Sequence, residues 1–309
     1  MATLLITGGT GLVGTRLTGM LTAAHHKVII LTRTPGHHQP SQGVHYARWD
    51  TGKQYIDPDA IAKADHIIHL AGAGVIDKRW NKNRKREILE SRTGSSALIV
   101  KALQEIPNHV RTVTSASAIG WYGFDTEQSR QHGFTEQAPA DDHFLGETCR
   151  LWEESIRPVE QLGKKLVIFR SGIVLSSHGG ALEAFRKPLS TGIAAILGNG
   201  RQVISWIHID DLCRMYITAL DNETWHGVYN AVAPHPITNR ELTLTLARKI
   251  RGRYFLPVHI PAFLLKIVMG EMSVEVLKST TVSSGKIQSS GFVFTCNNIH
   301  EALQACIEG

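Results

Sequence analysis

Long apolar runs are missing from this chain of 309 residues. The longest, such as Ile193–Leu197 and Ala262–Leu265, are far too short to span a bilayer, and Lys266 ends the second. That excludes an integral membrane protein. The opening Met1-Ala2-Thr3 carries no basic segment before Leu4-Leu5-Ile6 and the glycines that follow, so a strand is expected there and not a secretory signal. A cytoplasmic location is the expectation. Cysteine is scarce: Cys149, Cys213, Cys296 and Cys306 form no close pair and no metal-ligand spacing, which argues against a disulfide framework. His-Glu-x-x-His is absent despite 16 histidines, and His25-His26 and His37-His38 fall in expected connections, so no catalytic metal is predicted. Charge is modest at 19%, net +6, and the cations cluster only once, from Lys78 to Arg86. No helix-turn-helix, zinc-finger or aromatic RNP pattern accompanies them, so nucleic acid is not expected as a partner, and without a spanning run neither is a membrane.

What is present is the composition of a globular protein, 42% hydrophobic with 28 glycines. Thr3–Thr7 is a short apolar run bounded by glycines, and from Leu12 apolar residues recur at helical spacing through Val13, Leu17, Met20 and Leu21. Lys27–Thr32 then reads as a second buried strand, completing a βαβ unit. Strand-like runs return at Val44–Trp49, His66–Leu70, Val110–Ser115, Leu166–Arg170 and Val228–Ala231. Helical patterns occupy Lys85–Leu103, Phe144–Leu162, Asn239–Ile250 and Ala262–Met269. Such alternation predicts an α/β protein, a Rossmann-type doubly wound parallel sheet with a smaller, mainly C-terminal substrate lobe. Residues 1–170, rejoined by 206–232, are expected to form the first unit, and 171–205 with 233–309 the lobe. Ligands of such sheets bind beyond the carboxyl ends of the strands.

Between the first strand and helix stands Gly8-Gly9-Thr10-Gly11-Leu12-Val13-Gly14, with Gly8, Gly11 and Gly14 at G-x-x-G-x-x-G spacing. The first glycine permits a tight turn, the second lets the backbone approach a pyrophosphate, and the third lets helix and strand pack closely. The helix N-terminus supplies N–H groups and a positive dipole end to the phosphates. In NAD-binding versions an acid about twenty positions on takes the ribose hydroxyls, whereas here the second strand ends Leu31-Thr32-Arg33. An arginine there matches a 2′-phosphate, with Thr32 as a hydroxyl donor, so NADP is expected over NAD.

These residues, with Asp65–Gly72 and Trp206–Leu212, resemble the extended short-chain dehydrogenase/reductases, the NAD(P)-dependent epimerase/dehydratase group. Ser115–Gly123, Arg170–Leu175 and Asn230–Pro234 resemble a subgroup of epimerase family proteins, and the likeness runs essentially from end to end. The resemblance implies that Leu70, Ala71 and Gly72 line the cofactor path, and that Ile173 contacts the nicotinamide end. It also implies cofactor contacts for Glu87 and Arg92, although their five-residue spacing leaves open that one is a surface charge.

Working members of the group place Tyr-x-x-x-Lys on the helix after the fifth strand, where the lysine lowers the tyrosine pKa and a serine polarises the substrate oxygen. Here Leu145 falls at the tyrosine and Cys149 at the lysine. The serine survives as Ser117 or Ser115, and Tyr122 in the same loop is either a substitute acid or a packing residue beside Trp121; Asp142, His143 and Cys149 are also near in sequence, and spacing does not select among them. For the following segment, Asp211 is expected to cap a helix and His208 to bond locally. Two functions remain: an NADP-dependent oxidoreductase or epimerase-like enzyme acting on a small carbonyl, hydroxyl or sugar-nucleotide substrate, or a catalytically silent NADP(H)-binding sensor.

Overall fold

The computed structural model describes residues 1–39 and 41–308. Strands β1 (Thr3–Thr7), β2 (Lys27–Thr32), β3 (Val44–Asp50), β4 (Tyr55–Ile56), β5 (His66–His69), β6 (Thr112–Ala118) and β7 (Lys165–Ser171) join Gly227–Ala231 in one eight-stranded sheet. Its order is β4-β3-β2-β1-β5-β6-β7 and then Gly227–Ala231, parallel throughout except for the short β3–β4 pair. This is the doubly wound α/β sheet. The order reverses at β1, which pairs with both β2 and β5, so the switch point lies at the ends of β1 and β5.

The apolar run of β1 is buried on both faces, as a central parallel strand requires. Leu4 and Ile6 pack with Leu17 and Leu21 of helix α1 (Leu12–Ala23) and with the helix Ile209–Asp221. Leu5 turns to the other face, where its cluster includes Leu98 and Ile99 of helix α3 (Lys82–Glu105), which follows the short α2 (Pro58–Ala62). Complete burial of each such leucine contributes about 1.5–3 kcal/mol, which pins α1 and α3 to opposite faces.

Several expected elements differ at their ends, two of them with consequences. The helical pattern over Phe144–Leu162 divides into Phe144–Ile156 and Pro158–Gln161, because Pro158 brings no N–H to continue the ladder. Strand β6 begins at Thr112 and runs to Ala118, three residues past the expected end at Ser115. That extension draws Ser117 into the sheet.

Beyond Ser171, a third buried cluster joins Leu182 and Leu189 to Leu242 and Leu246 of the helix Asn239–Arg251 and to Leu303 of the helix Ile299–Glu308. Ile193–Leu197 and Leu256–Ile260 pair in parallel beside it. All four cysteines are buried free thiols. Among the described residues no helix is long and apolar enough to cross a membrane, and no group of three or more His, Cys, Asp or Glu side chains could hold a metal ion.

Candidate functional site

The glycine loop closes on itself at the switch point. Gly8 adopts φ 68°, and a Cβ there would stand 2.9 Å from the Leu70 carbonyl carbon. A Cβ on Gly14 would stand 2.3 Å from the Gly8 oxygen, whereas one on Gly11 would meet only that oxygen, at 3.3 Å. Gly8 and Gly14 therefore serve close packing, while Gly11 keeps the loop open outward. Gly11 is also the N-cap of α1 and supplies no side chain, and no acid stands in the first turn. The Gly11 N–H donates to Gly8 O and the Thr15 N–H to Gly11 O, which leaves the first-turn amides of Leu12, Val13 and Gly14 without a helical acceptor. Thr10 is exposed at the loop tip and Leu12 and Val13 are half-buried. Uncapped amides in a cradle that a Cβ would fill fit the phosphates of a dinucleotide. Beside the loop runs a groove of about 620 Å³, bordered by Thr10, Gly11 and Leu12 on one side and by Ser176, Ser177 and His178 on the other.

Beneath this loop lies a buried relay that the sequence reading gave no role. The Thr7 Oγ1 accepts the N–H groups of Leu70 and Ala71 at 3.1 and 3.2 Å and lies 2.7 Å from His69 Nδ1. Its own proton therefore goes to Nδ1, and the ring carries its proton on Nε2, 3.1 Å from Ser96 Oγ and 3.3 Å from Ser95 Oγ. The relay ties the end of β1 to the end of β5, so the glycine loop and Leu70–Gly72 are held in one frame. A histidine closing the apolar pair Ile67-Ile68 was the available signal.

Burial holds the His69 imidazole neutral, with its pKa pushed down to about 3. An unfolded chain protonates this histidine near its ordinary value of about 6.5, so between those values the unfolded state binds more protons. Stability is then lost as pH falls through that window, at about 1.4 kcal/mol per pH unit from this one ring. Burial, with Arg111 second, also pushes His66 down to about 4, which acts in the same direction. Urea unfolding followed from pH 7 to pH 5 is expected to show this slope, and His69→Gln to reduce it by about one proton's worth. An unchanged slope in His69→Gln would remove the assignment.

Leu70 and Ala71 are half-buried and Gly72 is exposed, and the turn that follows is gripped from α3. Arg92 Nη1 donates to Ala73 O at 3.0 Å and Ile88 O at 2.9 Å, and its guanidinium lies 3.2 Å from where a Gly72 Cβ would be. Burial lowers the Arg92 pKa, and the group packs over the Trp152 ring. Glu87 accepts from Arg84 Nη1 at 2.7 Å while Arg84 Nη2 donates to Gly74 O. That hydrogen bond holds the exposed Glu87 carboxyl below its usual range. Glu87 and Arg92 thus serve the same turn, Glu87 through Arg84. At the end of β2, Thr32 is half-buried and Arg33 is exposed, with no ion-pair partner among the described residues. Ile173, 38% exposed, opens a strand paired with Trp206–His208. His208, and not Asp211, caps the next helix by accepting the Asp210 N–H; Asp211 is fully buried and binds the N–H groups of Thr295 and Cys296.

Ser117 and Tyr122 are placed differently from the cofactor residues. Ser117 is 3% exposed and donates to Glu153 Oε1 at 2.7 Å. Tyr122 is 1% exposed, donates to Asn230 Oδ1 at 2.6 Å and accepts from Arg170 Nη1 at 3.1 Å. Burial, outweighing the adjacent Arg170 charge, pushes its phenol up to about 12. Arg170 in turn makes a two-pronged pair with Glu153, at 2.7 and 3.0 Å, and stacks on Trp121. Both hydroxyls are thus committed inside one buried network. Ser115, the alternative serine, is fully buried. Leu145 and Cys149 lie on helix Phe144–Ile156 against the Gly120 backbone, and burial pushes the Cys149 thiol up to about 11. Glu153, Arg170 and Asn230 were not singled out as network members from sequence, although an arginine ending an apolar strand was the available mark.

A family profile described as NAD dependent epimerase/dehydratase family matches residues 4–231, and one described as a domain of unknown function matches residues 260–306. The chain is 33% identical to Epimerase family protein YfhF of Bacillus subtilis, over 98% of this chain and 97% of that protein. It superposes on human epimerase family protein SDR39U1, solved with NADPH, at TM-score 0.85 and 27% identity, covering 99% of both chains. A nucleoside-diphosphate sugar epimerase from Corynebacterium glutamicum matches 99% of this chain and 57% of its own length, at 31% identity and TM-score 0.76.

Proposed function

The chain belongs to the NAD-dependent epimerase/dehydratase family, and on that premise we propose that it binds NADP(H) along the carboxyl edge of its sheet without the proton relay of the family's dehydrogenases. In this reading the amides of Leu12, Val13 and Gly14 hold the pyrophosphate, with Gly8, Thr10 and Gly11 forming the loop around it. Thr32 and Arg33 take the 2′-phosphate, Leu70, Ala71 and Gly72 line the path, and Arg92 fixes the turn beneath it with Glu87. Ile173 borders the nicotinamide end. The NADPH in the human structural neighbour supports this assignment. When bound, the cofactor supplies hydride transfer.

The observation that supports the rest of this reading is the commitment of Ser117 and Tyr122 to buried partners. With leucine and cysteine at the positions that align with the usual tyrosine and lysine, neither Ser117 nor Tyr122 is held ready to give a proton, which favours a cofactor-binding sensor whose ligand state is read by a partner or an oligomeric equilibrium. The second reading, oxidoreductase or epimerase-like action on a small carbonyl, hydroxyl or sugar nucleotide, is supported by the sugar epimerase relative; it would draw its proton from substrate or solvent. Titration with NADPH and NADH, followed by a carbonyl and sugar-nucleotide panel read as loss of NADPH absorbance, separates them. Selective binding without turnover supports the sensor, turnover the enzyme, and failure to bind either nucleotide refutes both.

Arg33→Ala tests the cofactor choice by itself. Loss of a charge-assisted contact of about 1.5–3 kcal/mol should weaken NADPH roughly 10- to 100-fold while NADH is little changed. Equal losses in calorimetric titrations would exclude the 2′-phosphate contact.

A further inference from the structure

The helix Ala262–Met269 is apolar and unpartnered on most of its surface. Phe263, Leu264, Ile267 and Val268 are 62%, 41%, 64% and 73% exposed, and Leu265 is its one buried residue. Single exposed apolar residues need no account, but four on one eight-residue helix, continued by exposed Val274, form a patch that calls for a partner. Alongside runs a groove of about 630 Å³ lined by Phe263, Val274 and Leu277, with Arg79 and Lys266 at its edge.

The acids on the segments that frame the groove are held in ion pairs. Asp77 and Glu87 are taken by Arg84, Glu90 by Arg86, Glu271 by Lys85 and Glu275 by Lys278. Lys78, Arg79, Lys82 and Lys266 have no such partner among the described residues. The Arg79 guanidinium lies against Gly270, just past the helix, and Lys82 is one turn from Lys85, which reaches Glu271. Arg79 and Lys266 therefore edge the apolar helix, with Lys78 and Lys82 flanking Arg79 in sequence.

We propose that this face docks on an anionic lipid surface, the helix Ala262–Met269 seating its apolar side chains at the headgroup boundary while Lys78, Arg79, Lys82 and Lys266 meet the lipid charge. A second copy of the chain is the less suitable occupant, because a two-fold contact would bring the same unpaired Arg79 and Lys266 to the interface from both copies. The lack of a spanning run, which led to the expectation of no membrane partner, does not bear on a surface contact. The inference is independent of the cofactor reading.

The test is flotation of the full chain with phosphatidylglycerol–phosphatidylcholine vesicles and with phosphatidylcholine vesicles alone, at low and high salt. Binding is expected only to the anionic vesicles and is expected to weaken with salt. Each cation is worth about fivefold in partitioning, so the double variant Arg79→Ala/Lys266→Ala should lose roughly 25-fold. Phe263→Ser/Ile267→Ser, both at exposed positions, should lose binding while keeping the parent's far-UV spectrum and melting temperature. Absence of vesicle binding, or equal binding to neutral vesicles, overturns the proposal. So does a dimer in sedimentation that Phe263→Ser/Ile267→Ser dissociates, in a parent that ignores vesicles; that result assigns the face to a second copy.

Discussion

Arg170→Met is expected to destabilise the protein by about 3–5 kcal/mol, because it leaves the Glu153 carboxylate buried without its cation. Arg170 is 2% exposed and directs donors to both Glu153 oxygens, to the Tyr122 hydroxyl and to the Glu136 carbonyl. Methionine keeps much of the volume and none of the charge, so the loss is electrostatic and not a cavity. Urea unfolding measures it directly, and Glu153→Leu/Arg170→Met should be more stable than Arg170→Met alone, since the unpaired charge has gone. A single variant within about 1 kcal/mol of the parent would show that water reaches Glu153 and that the network is not closed.

The same network sets the roles of the two hydroxyls. Tyr122 has one proton, which it gives to Asn230, and it accepts from Arg170, so neither its proton nor a low pKa is available to a ligand. Ser117 gives its proton to a carboxylate that Arg170 already holds. Tyr122→Phe should therefore reduce stability by about 1–3 kcal/mol and leave NADPH affinity unchanged. Unchanged stability with loss of turnover would restore it as the acid.

Sequence patterning locates β1 and β2 to the residue because both are apolar runs with abrupt ends, one at glycine and the other at lysine and arginine. It ends β6 too early because Ser115–Ala118 is small and polar, unlike the buried strands that precede it. The strand continues there through ladder pairing with β7, in which Ser117 faces Arg170 across the register. That pairing is a long-range fact, invisible to local periodicity, and it is what brings serine, glutamate, arginine and tyrosine together from four segments. The glycine loop is legible for the opposite reason: its spacing is written within seven consecutive residues, Gly8–Gly14, although the Leu70 backbone that crowds Gly8 is distant in sequence. Arg33 stands between the two cases, since its position follows from the end of β2 and its ligand from chemistry alone.

Within that loop, substitutions of Gly11 and Gly14 should separate binding from folding. A Cβ at Gly14 falls 2.3 Å from the Gly8 oxygen and 2.6 Å from the Gly9 Cα, all backbone atoms that cannot swing aside, so Gly14→Ala must displace α1 from β1. A cost of about 1–3 kcal/mol in stability is expected, with loss of NADPH binding as the loop shifts. At Gly11 the same atom meets only the Gly8 oxygen, at 3.3 Å, and otherwise points into open space, so Gly11→Val should leave the unfolding midpoint close to that of the parent. The valine would nevertheless occupy the approach to the first-turn amides of α1. Forfeiting two amide–phosphate bonds, at about 1.5–3 kcal/mol each, corresponds to a loss of at least roughly a hundredfold in NADPH affinity. The discriminating result is a Gly11→Val protein that melts like the parent and fails to bind. If it binds like the parent, the phosphates do not lie on α1, and the groove between Thr10 and Ser177 needs another ligand.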